Sequence, residues 1–423
     1  MNLKRAVSFQ PPAASLFESD TWPSRLACRN APIGERLRPA KTSATQRLVA
    51  GCWRLTNLFG TTGTARATRI LLAAVCWLGL ALLASARAED FAPVLEGRQL
   101  IFPADHGAHP EQRTEWWYIT GWLTDEQGRE RGFQVTFFRV GTGIGADNPS
   151  RFAPRQLILA HAAIADPDTG HLRHAERVER ALDPLAGATV GQTRAWIDDW
   201  SLTLADGAYR TRIRADDFEL DLTLTSDGPP QLNGRDGFSQ KTPDPANASF
   251  YYSRPQLAVS GRLRLADADR TVTGRAWLDH EWSSEILPEE AQGWDWIGIN
   301  LDDGGSLMAF RMRRRDGSTL WAGGTLQQGE QPTQILSPDQ VRFLPGRRWQ
   351  SPRTGADYPV EWRIDIADRR LSLRPLMDDQ ELDGRRSTGV VYWEGAARLF
   401  EADHEIGRGY LEMTGYWRRP LGL

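Results

Sequence analysis

The stretch DHGAHPEQRTEWWYITGWL, Asp105 to Leu123, holds two histidines, three carboxylates and one arginine, followed by an aromatic strand with three tryptophans. His106 and His109, with Asp105 and Glu115 nearby, offer the donor types of a divalent-metal site. Their spacing is not the helical i, i+4 pair of the zincins, and no strict third ligand is visible, so no metal is assigned. The expectation is a loop that folds over a barrel mouth, held by an Arg113–Glu115 pair. A second constellation is AWLDHEW. On a strand, Ala276, Leu278, His280 and Trp282 share one face, and Trp277, Asp279 and Glu281 the other. His280 then sits on an apolar face inside a barrel, where it reads either as a general base or as a core histidine bonded to a carbonyl. Asp295, between Trp294 and Trp296, is a carboxyl in an aromatic setting, where desolvation raises a pKa and suits an acid. His161 lies in LILAHAAIA with Leu157, Leu159 and Ala163 on its face. It reads first as a satisfied core histidine and second as a ligand contact.

These groups need rigid elements to hold them. WYITGWL, FQVTFFRV, QLILAHAAI, WSLTLAD, FELDLTLTS, LAVSGRLRLAD and TVTGRAWLDHEW are short runs, alternating or rich in β-branched and aromatic residues. DEQG, DPDTG, DGA and ADADR punctuate them, and no convincing 3.6-residue period appears. The prediction is an all-β chain of antiparallel hairpins. Trp116, Tyr118, Thr120 and Trp122 share one face of the first strand, and such a face could line the inside of a ligand-holding barrel. Three blocks recur in order. Glu115–Arg139 resembles Gly293–Arg313, Tyr209–Leu224 resembles Tyr358–Leu373, and Gly274–Trp282 resembles Gly407–Gly415. Two related β-domains follow, over 89–288 and 289–423, the second trimmed. In this repeat Asp279 matches Glu412 and His280 matches Met413, and six of seven histidines fall in the first domain. Chemistry is therefore expected mainly there.

Residues 1–88 read differently. The run ILLAAVCWLGLALLA (70–84), preceded by Arg66 and Arg69 and followed by Ser85-Ala86-Arg87-Ala88, predicts a secretory signal cleaved after Ala88. The run is short for a membrane span, and an uncleaved inner-membrane anchor is the alternative. Residues 1–68 are Arg-rich without periodicity and suggest a start codon assigned too early. Losing 1–88 removes 12 basic and 3 acidic residues, which leaves 39 and 51 and a formal charge of −12. Such a chain is a poor nucleic-acid binder. All three cysteines fall in the removed part, which excludes a cysteine nucleophile in the exported protein. No G-x-S-x-G elbow, phosphate loop or dinucleotide fingerprint is present, so no cofactor is expected.

DHGAHPEQRTEWWYITG, LDHEWSS and GWDWIGINLDDG together resemble the carotenoid 1,2-hydratase (hydroxyneurosporene synthase) family. They are closer still to its AttH-like branch of secreted hydrolases, from about Phe91 to the C-terminus. The resemblance implies two tandem lipocalin-like β-barrels in the periplasm and a long hydrophobic ligand, a carotenoid or another lipid. It also implies hydration without an added cofactor or, in the AttH branch, hydrolysis. His280 and Trp282 match the hydratase motif. The strand that should carry the hydratase acid reads LMAFRMRRR, with Phe310 and no carboxylate, so Asp279 and Asp295 are the candidate acids and His280 the base. Trp116, Trp117, Tyr118, Trp282, Trp294, His106, His109, Glu115 and His161 are the expected ligand contacts. The alternative is a non-catalytic lipid carrier serving an inner-membrane ABC-type exporter.

Overall fold

Alternating apolar strands that cannot cover both faces alone must roll up and stack. A computed structural model describes residues 91–145, 148–226, 228–266, 268–285 and 287–420. The expected signal or anchor at 70–88 lies outside the described residues. The first sheet contains β1 (Thr114–Asp125), β2 (Glu130–Gly141), β3 (Gln156–Asp166), β4 (His171–Arg180), β5 (Ala186–Ala188), β6 (Arg194–Ile197) and β7 (Trp200–Ala205). It continues with β8 (Ala208–Arg214), β9 (Phe218–Thr225), β10 (Gln231–Leu232), β11 (Phe238–Gln240), β12 (Ala248–Leu265) and β13 (Ala268–Ser283). The second contains β14 (Ala291–Leu301), β15 (Ser306–Arg314), β16 (Thr319–Gln327), β17 (Gln334–Leu336) and β18 (Val341–Pro345). After the small hairpin β19 (Arg348–Gln350) and β20 (Asp357–Pro359) come β21 (Trp362–Ile366), β22 (Arg369–Pro375), β23 (Glu381–Gly384), β24 (Val390–Glu401) and β25 (His404–Met413).

The strand order is β4-β3-β2-β1-β13-β12-β9-β8-β7-β6-β5 in the first sheet and β17-β16-β15-β14-β25-β24-β22-β21-β18 in the second. The two paths correspond strand for strand through their middles. The three repeated sequence blocks fall on β1–β2 and β14–β15, on β8–β9 and β21–β22, and on β13 and β25. Each sheet curls into a lipocalin-like antiparallel barrel. In the first, Arg177 of β4 donates to the carbonyls of Ile197 (3.3 Å) and Arg214 (3.1 Å) at the far end of the sheet, which closes the roll.

Four apolar clusters result among the described residues, the smallest around Ala163, Leu172, Leu382 and Tyr392. Trp117, Ile119, Phe137, Leu278 and Trp282 fill the first barrel, and Ile297, Trp362, Trp393 and Leu411 the second. Tyr118, Trp122, Trp277, Trp296, Phe310 and Tyr410 form a third cluster where the barrels meet. Strand β1 is therefore buried on both faces, which is why it carries aromatics at the successive positions Trp116, Trp117 and Tyr118. The barrels approach closely at Gly132, where an added Cβ would lie 2.6 Å from both Ala396 Cβ and the Tyr410 hydroxyl. Gly132→Ala is expected to cost about 1–3 kcal/mol through overpacking, read as a lower urea midpoint. An unchanged midpoint would show that the barrels separate freely.

Candidate active site

In the ladder between β1 and β13, Trp117 lies opposite His280 and Tyr118 opposite Asp279. Side chains alternate across a strand, so these neighbouring pairs face opposite ways and build two separate polar sites.

The first site is sealed inside the first barrel around Glu115, which is 0% exposed. Its carboxylate accepts from the backbone N–H of His109 (2.9 Å) and from Arg139 Nε (2.7 Å). Its Oε1 also meets His109 Nδ1 at 2.7 Å and His280 Nε2 at 2.9 Å. His109 Nε2 continues to Asp105 at 3.0 Å. The Tyr252 hydroxyl lies 3.2 Å from His280 Nδ1 and 2.8 Å from His106 Nδ1. Trp282 stacks on the His109 ring at 3.8 Å, and Trp117 on His280 at 4.7 Å. Burial pushes His280 down to about 4 and His106 to about 4, so both are neutral near pH 7. Burial also opposes ionisation of Glu115, but His109, His280 and Arg139 prevail and hold its carboxyl well below the usual range. At His109, burial is likewise outweighed, here by the carboxylates of Asp105 and Glu115, and its pKa is raised.

His109, Glu115 and His280 offer donor atoms within 4.8 Å of one another, the types a divalent cation takes. Each of these atoms is already hydrogen-bonded, and the Arg139 guanidinium sits on the same carboxylate, so the cluster is complete as it stands. In the segment expected to fold over the barrel mouth, Asp105, His106 and His109 are buried. The cationic partner of Glu115 is Arg139 rather than Arg113, which lines the second site.

The second site is a cavity of about 210 Å³ between the barrels. Its walls are Trp116, Tyr118 and Phe138 from the first barrel and Trp294, Trp296, Phe310 and Met312 from the second. Five carboxyl groups line it: Asp279, Glu281, Glu285, Glu394 and Glu412. Lys241 takes up the charge of Glu281, with Nζ 2.7 Å from Oε1. Among the described residues, no lysine or arginine pairs with Asp279, Glu394 or Glu412. Asp279 accepts from Ser253 (2.5 Å) and Trp277 Nε1 (2.6 Å) on Oδ1 and from Tyr251 (2.6 Å) on Oδ2. Burial outweighs these bonds and raises Asp279 to about 7. Glu412 is half-buried, its exposure being to the cavity, and accepts from Trp294 Nε1 at 3.1 Å. Burial, with the carboxylates of Glu281 and Asp279, raises it to about 8. Glu394 stands directly opposite Glu412 in the β24–β25 ladder and receives the Tyr118 hydroxyl. Burial and Glu412 raise it well above the ordinary range, because two adjacent carboxyls in an apolar wall do not both ionise.

The sequence-derived candidates divide accordingly. Asp279, Trp116, Tyr118, Trp294 and His161 line the cavity. His280, Glu115, Trp117, Trp282, His106 and His109 lie inside the first barrel, away from it. Of the candidate acid Asp279 and base His280, which alternation places on opposite faces of β13, only Asp279 reaches the cavity. Asp295 is inside the second barrel, held by Arg311 Nε (2.6 Å), Arg313 Nε (3.0 Å) and the Tyr416 hydroxyl (2.9 Å), and does not reach the cavity. The face expected to line the inside of a barrel is corrected, because Trp116 and Tyr118 point out of the first barrel toward the second. Glu394, Glu412, Lys241 and Tyr392 were missed. The match of Asp279 with Glu412 in the repeat was the signal for one of them.

Fold and site together define a tandem-barrel, lipocalin-like protein with protonatable carboxyls in an apolar inter-barrel cavity. A family model described as AttH-like matches residues 93–416, and the chain belongs to that family. It is similar to the crystal structure of a provisionally named AttH from Nitrosomonas europaea. The identity is 49% over 78% of this chain and 100% of that one, with a TM-score of 0.74. It shares its fold with kievitone hydratase from Nectria haematococca, at 14% identity over 78% of this chain and 97% of that one, TM-score 0.58. No match was found among curated proteins.

Proposed function

We propose that the inter-barrel cavity receives one end of a long hydrophobic molecule, an isoprenoid or another lipid, and adds water to it by acid/base catalysis. The observation that carries this reading is the set of carboxyl groups, Asp279, Glu394 and Glu412, gathered with no basic partner among the described residues against an aromatic wall, a setting that favours their protonated form. A neutral carboxyl next to an apolar chain can protonate a double bond, and the faces of Trp116, Trp294 and Trp296 can shelter the cation that forms. The same acid can activate an ester carbonyl, so hydrolysis is the companion chemistry. A fold shared with a protein named a hydratase is compatible with water addition, but fold alone does not assign function, and the residues bear the argument. No cofactor enters this scheme. We further propose export to the periplasm with cleavage near Ala88, which an N-terminal peptide of the secreted protein tests.

The test is incubation of residues 89–423 with a carotenoid and lipid extract, followed by mass spectrometry of bound and released molecules. A product heavier by one water means hydration, and cleaved fragments mean hydrolysis. The same unmodified ligand retained by the protein and by Asp279→Asn overturns catalysis and leaves the carrier role, with an exporter as partner. Thr136→Trp is expected to fill the cavity and reduce ligand uptake at least tenfold in the same assay, because Thr136 lines it. Uptake at the parent level would place the ligand elsewhere. His280→Ala is expected to lower stability by about 2–4 kcal/mol, since it strands buried polar partners, yet to keep turnover per folded molecule.

A further inference from the structure

One buried histidine in the cavity wall has no part in the acid chemistry above. His161 of β3 is 0% exposed. Its Nδ1 lies 2.7 Å from the hydroxyl of Tyr392, which lines the cavity, and its Nε2 lies 2.7 Å from Ser387 Oγ. The Ser387 hydroxyl donates to Glu176 Oε2, and the Ser387 backbone N–H bonds the same oxygen at 3.0 Å. Ser387 and Glu176 are both half-buried and reach the surface. The contact spans the two barrels: His161 and Glu176 are cross-strand neighbours on β3 and β4, while Ser387 sits in the turn between β23 and β24. Gly384 lets that turn close, because a Cβ there would lie 3.0 Å from His161 Cε1.

The direction of every bond follows from chemistry. The Ser387 hydroxyl and backbone N–H both donate to Glu176 Oε2, so the Ser387 oxygen must accept from His161 Nε2–H. Burial holds His161 down at about 3, so the ring is neutral and Nδ1 carries the lone pair that takes the Tyr392 proton. The four groups thus form one polarised chain pointing from the cavity to solvent.

We propose that Tyr392, His161, Ser387 and Glu176 are a proton conduit between the inter-barrel cavity and water. The inference rests on the acid/base reading of the cavity and adds the exit that such chemistry needs. When the attacking water gives up a proton, it passes to the Tyr392 oxygen. The Tyr392 proton moves to Nδ1, the Nε2 proton to Ser387 and the Ser387 proton to Glu176. Four O–H or N–H bonds break and four form, and Glu176 releases the proton to solvent. This passage reverses the chain, so the next proton travels inward from Glu176 to Tyr392, beside the Glu394–Glu412 pair, which an acid step leaves one proton short and negatively charged. Export and import alternate, and no net proton is consumed.

The conduit is tested without substrate, by NMR of the ¹⁵N-histidine-labelled full chain. The expected result is a neutral, Nε2-protonated His161 whose Nε2–H exchanges with solvent at least tenfold faster in the parent than in Glu176→Gln. That variant preserves the side chain's shape and removes the proton acceptor. Ser387→Ala is expected to slow the same exchange, and Tyr392→Phe to leave it unchanged. Equal exchange in the parent, Glu176→Gln and Ser387→Ala, or a His161 protonated on Nδ1 with Glu176 ionised, overturns the conduit and makes His161 a satisfied core residue. The extract assay separates this from the function itself. Turnover with unaltered exchange overturns the conduit alone, and slowed exchange in Glu176→Gln without turnover in the parent supports the conduit while overturning the acid reading.

Discussion

Asp279→Asn is expected to lower turnover by about 10²–10⁴-fold, the contribution of a positioned general acid, while ligand uptake persists. The substitution suits the site. Asn Oδ1 can keep the bonds from Ser253 and Trp277, and the Tyr251 hydroxyl can turn to accept from Nδ2. What is lost is the transferable proton. In the parent, activity should fall as pH rises through about 7 and about 8, where Asp279 and Glu412 ionise and cease to be acids. Stability supplies a second readout with the opposite sign of benefit. The folded state binds the Asp279 proton more tightly than the unfolded state, whose value is near 3.8. Its ionisation therefore penalises folding progressively between about pH 4 and pH 7, and the penalty is constant above that range. Three pKa units correspond to about 4 kcal/mol as an order of magnitude. Asp279→Asn should thus be more stable than the parent at pH 8 and close to it at pH 4, as measured by urea unfolding. Full turnover by the variant would remove Asp279 from the chemistry and leave Glu412 and Glu394 as the acids.

The largest loss of stability is expected from Glu115→Ala, about 3–5 kcal/mol, because it leaves Arg139 and His109 as buried cations without their carboxylate. The pH dependence is distinctive. Glu115 has its carboxyl held below the unfolded value near 4.5, so its stabilisation is present above that pH and is lost as pH falls toward the folded value. His109 has its pKa raised above 6.5, so its stabilisation is present below 6.5 and is lost as pH rises through the folded value. The cluster therefore contributes most between about pH 4.5 and 6.5, and the difference between parent and Glu115→Ala should peak in that window. Urea midpoints at pH 4, 5.5 and 8 measure it. A difference that does not vary with pH would mean that Glu115 matters through packing alone.

Alternation made much of this arrangement legible before any coordinates. The split of β1 into a Glu115–Trp117 face and a Trp116–Tyr118 face follows from the two-residue period of a strand. So does the separation of His280 from Asp279 on β13. The interior position of His280 was readable for the same reason, and the family motifs pointed to two lipocalin-like barrels. What alternation cannot say is which buried face is packing and which is cavity. Trp117 and Tyr118 are both buried, at 1% and 6% exposure, because a second barrel covers the outside of the first. The Trp116–Tyr118 face, expected to line the inside of a barrel, instead faces the second barrel.

Composition and period, then, determined an all-β chain, its repeat and the facing of each side chain, since these depend on local sterics and on the need to bury apolar stripes. The tertiary structure alone decided that Glu115 closes on Arg139, that Asp295 is neutralised by Arg311 and Arg313, and that Asp279, Glu394 and Glu412 share one cavity. The reason is physical. Whether a carboxyl is an ion in a salt bridge or a protonated acid depends on which cations and which apolar walls reach it: Arg139 and Arg311 reach Glu115 and Asp295 from the neighbouring hairpin strand, whereas the cavity wall brings Tyr118 to Glu394 across 276 positions of the chain.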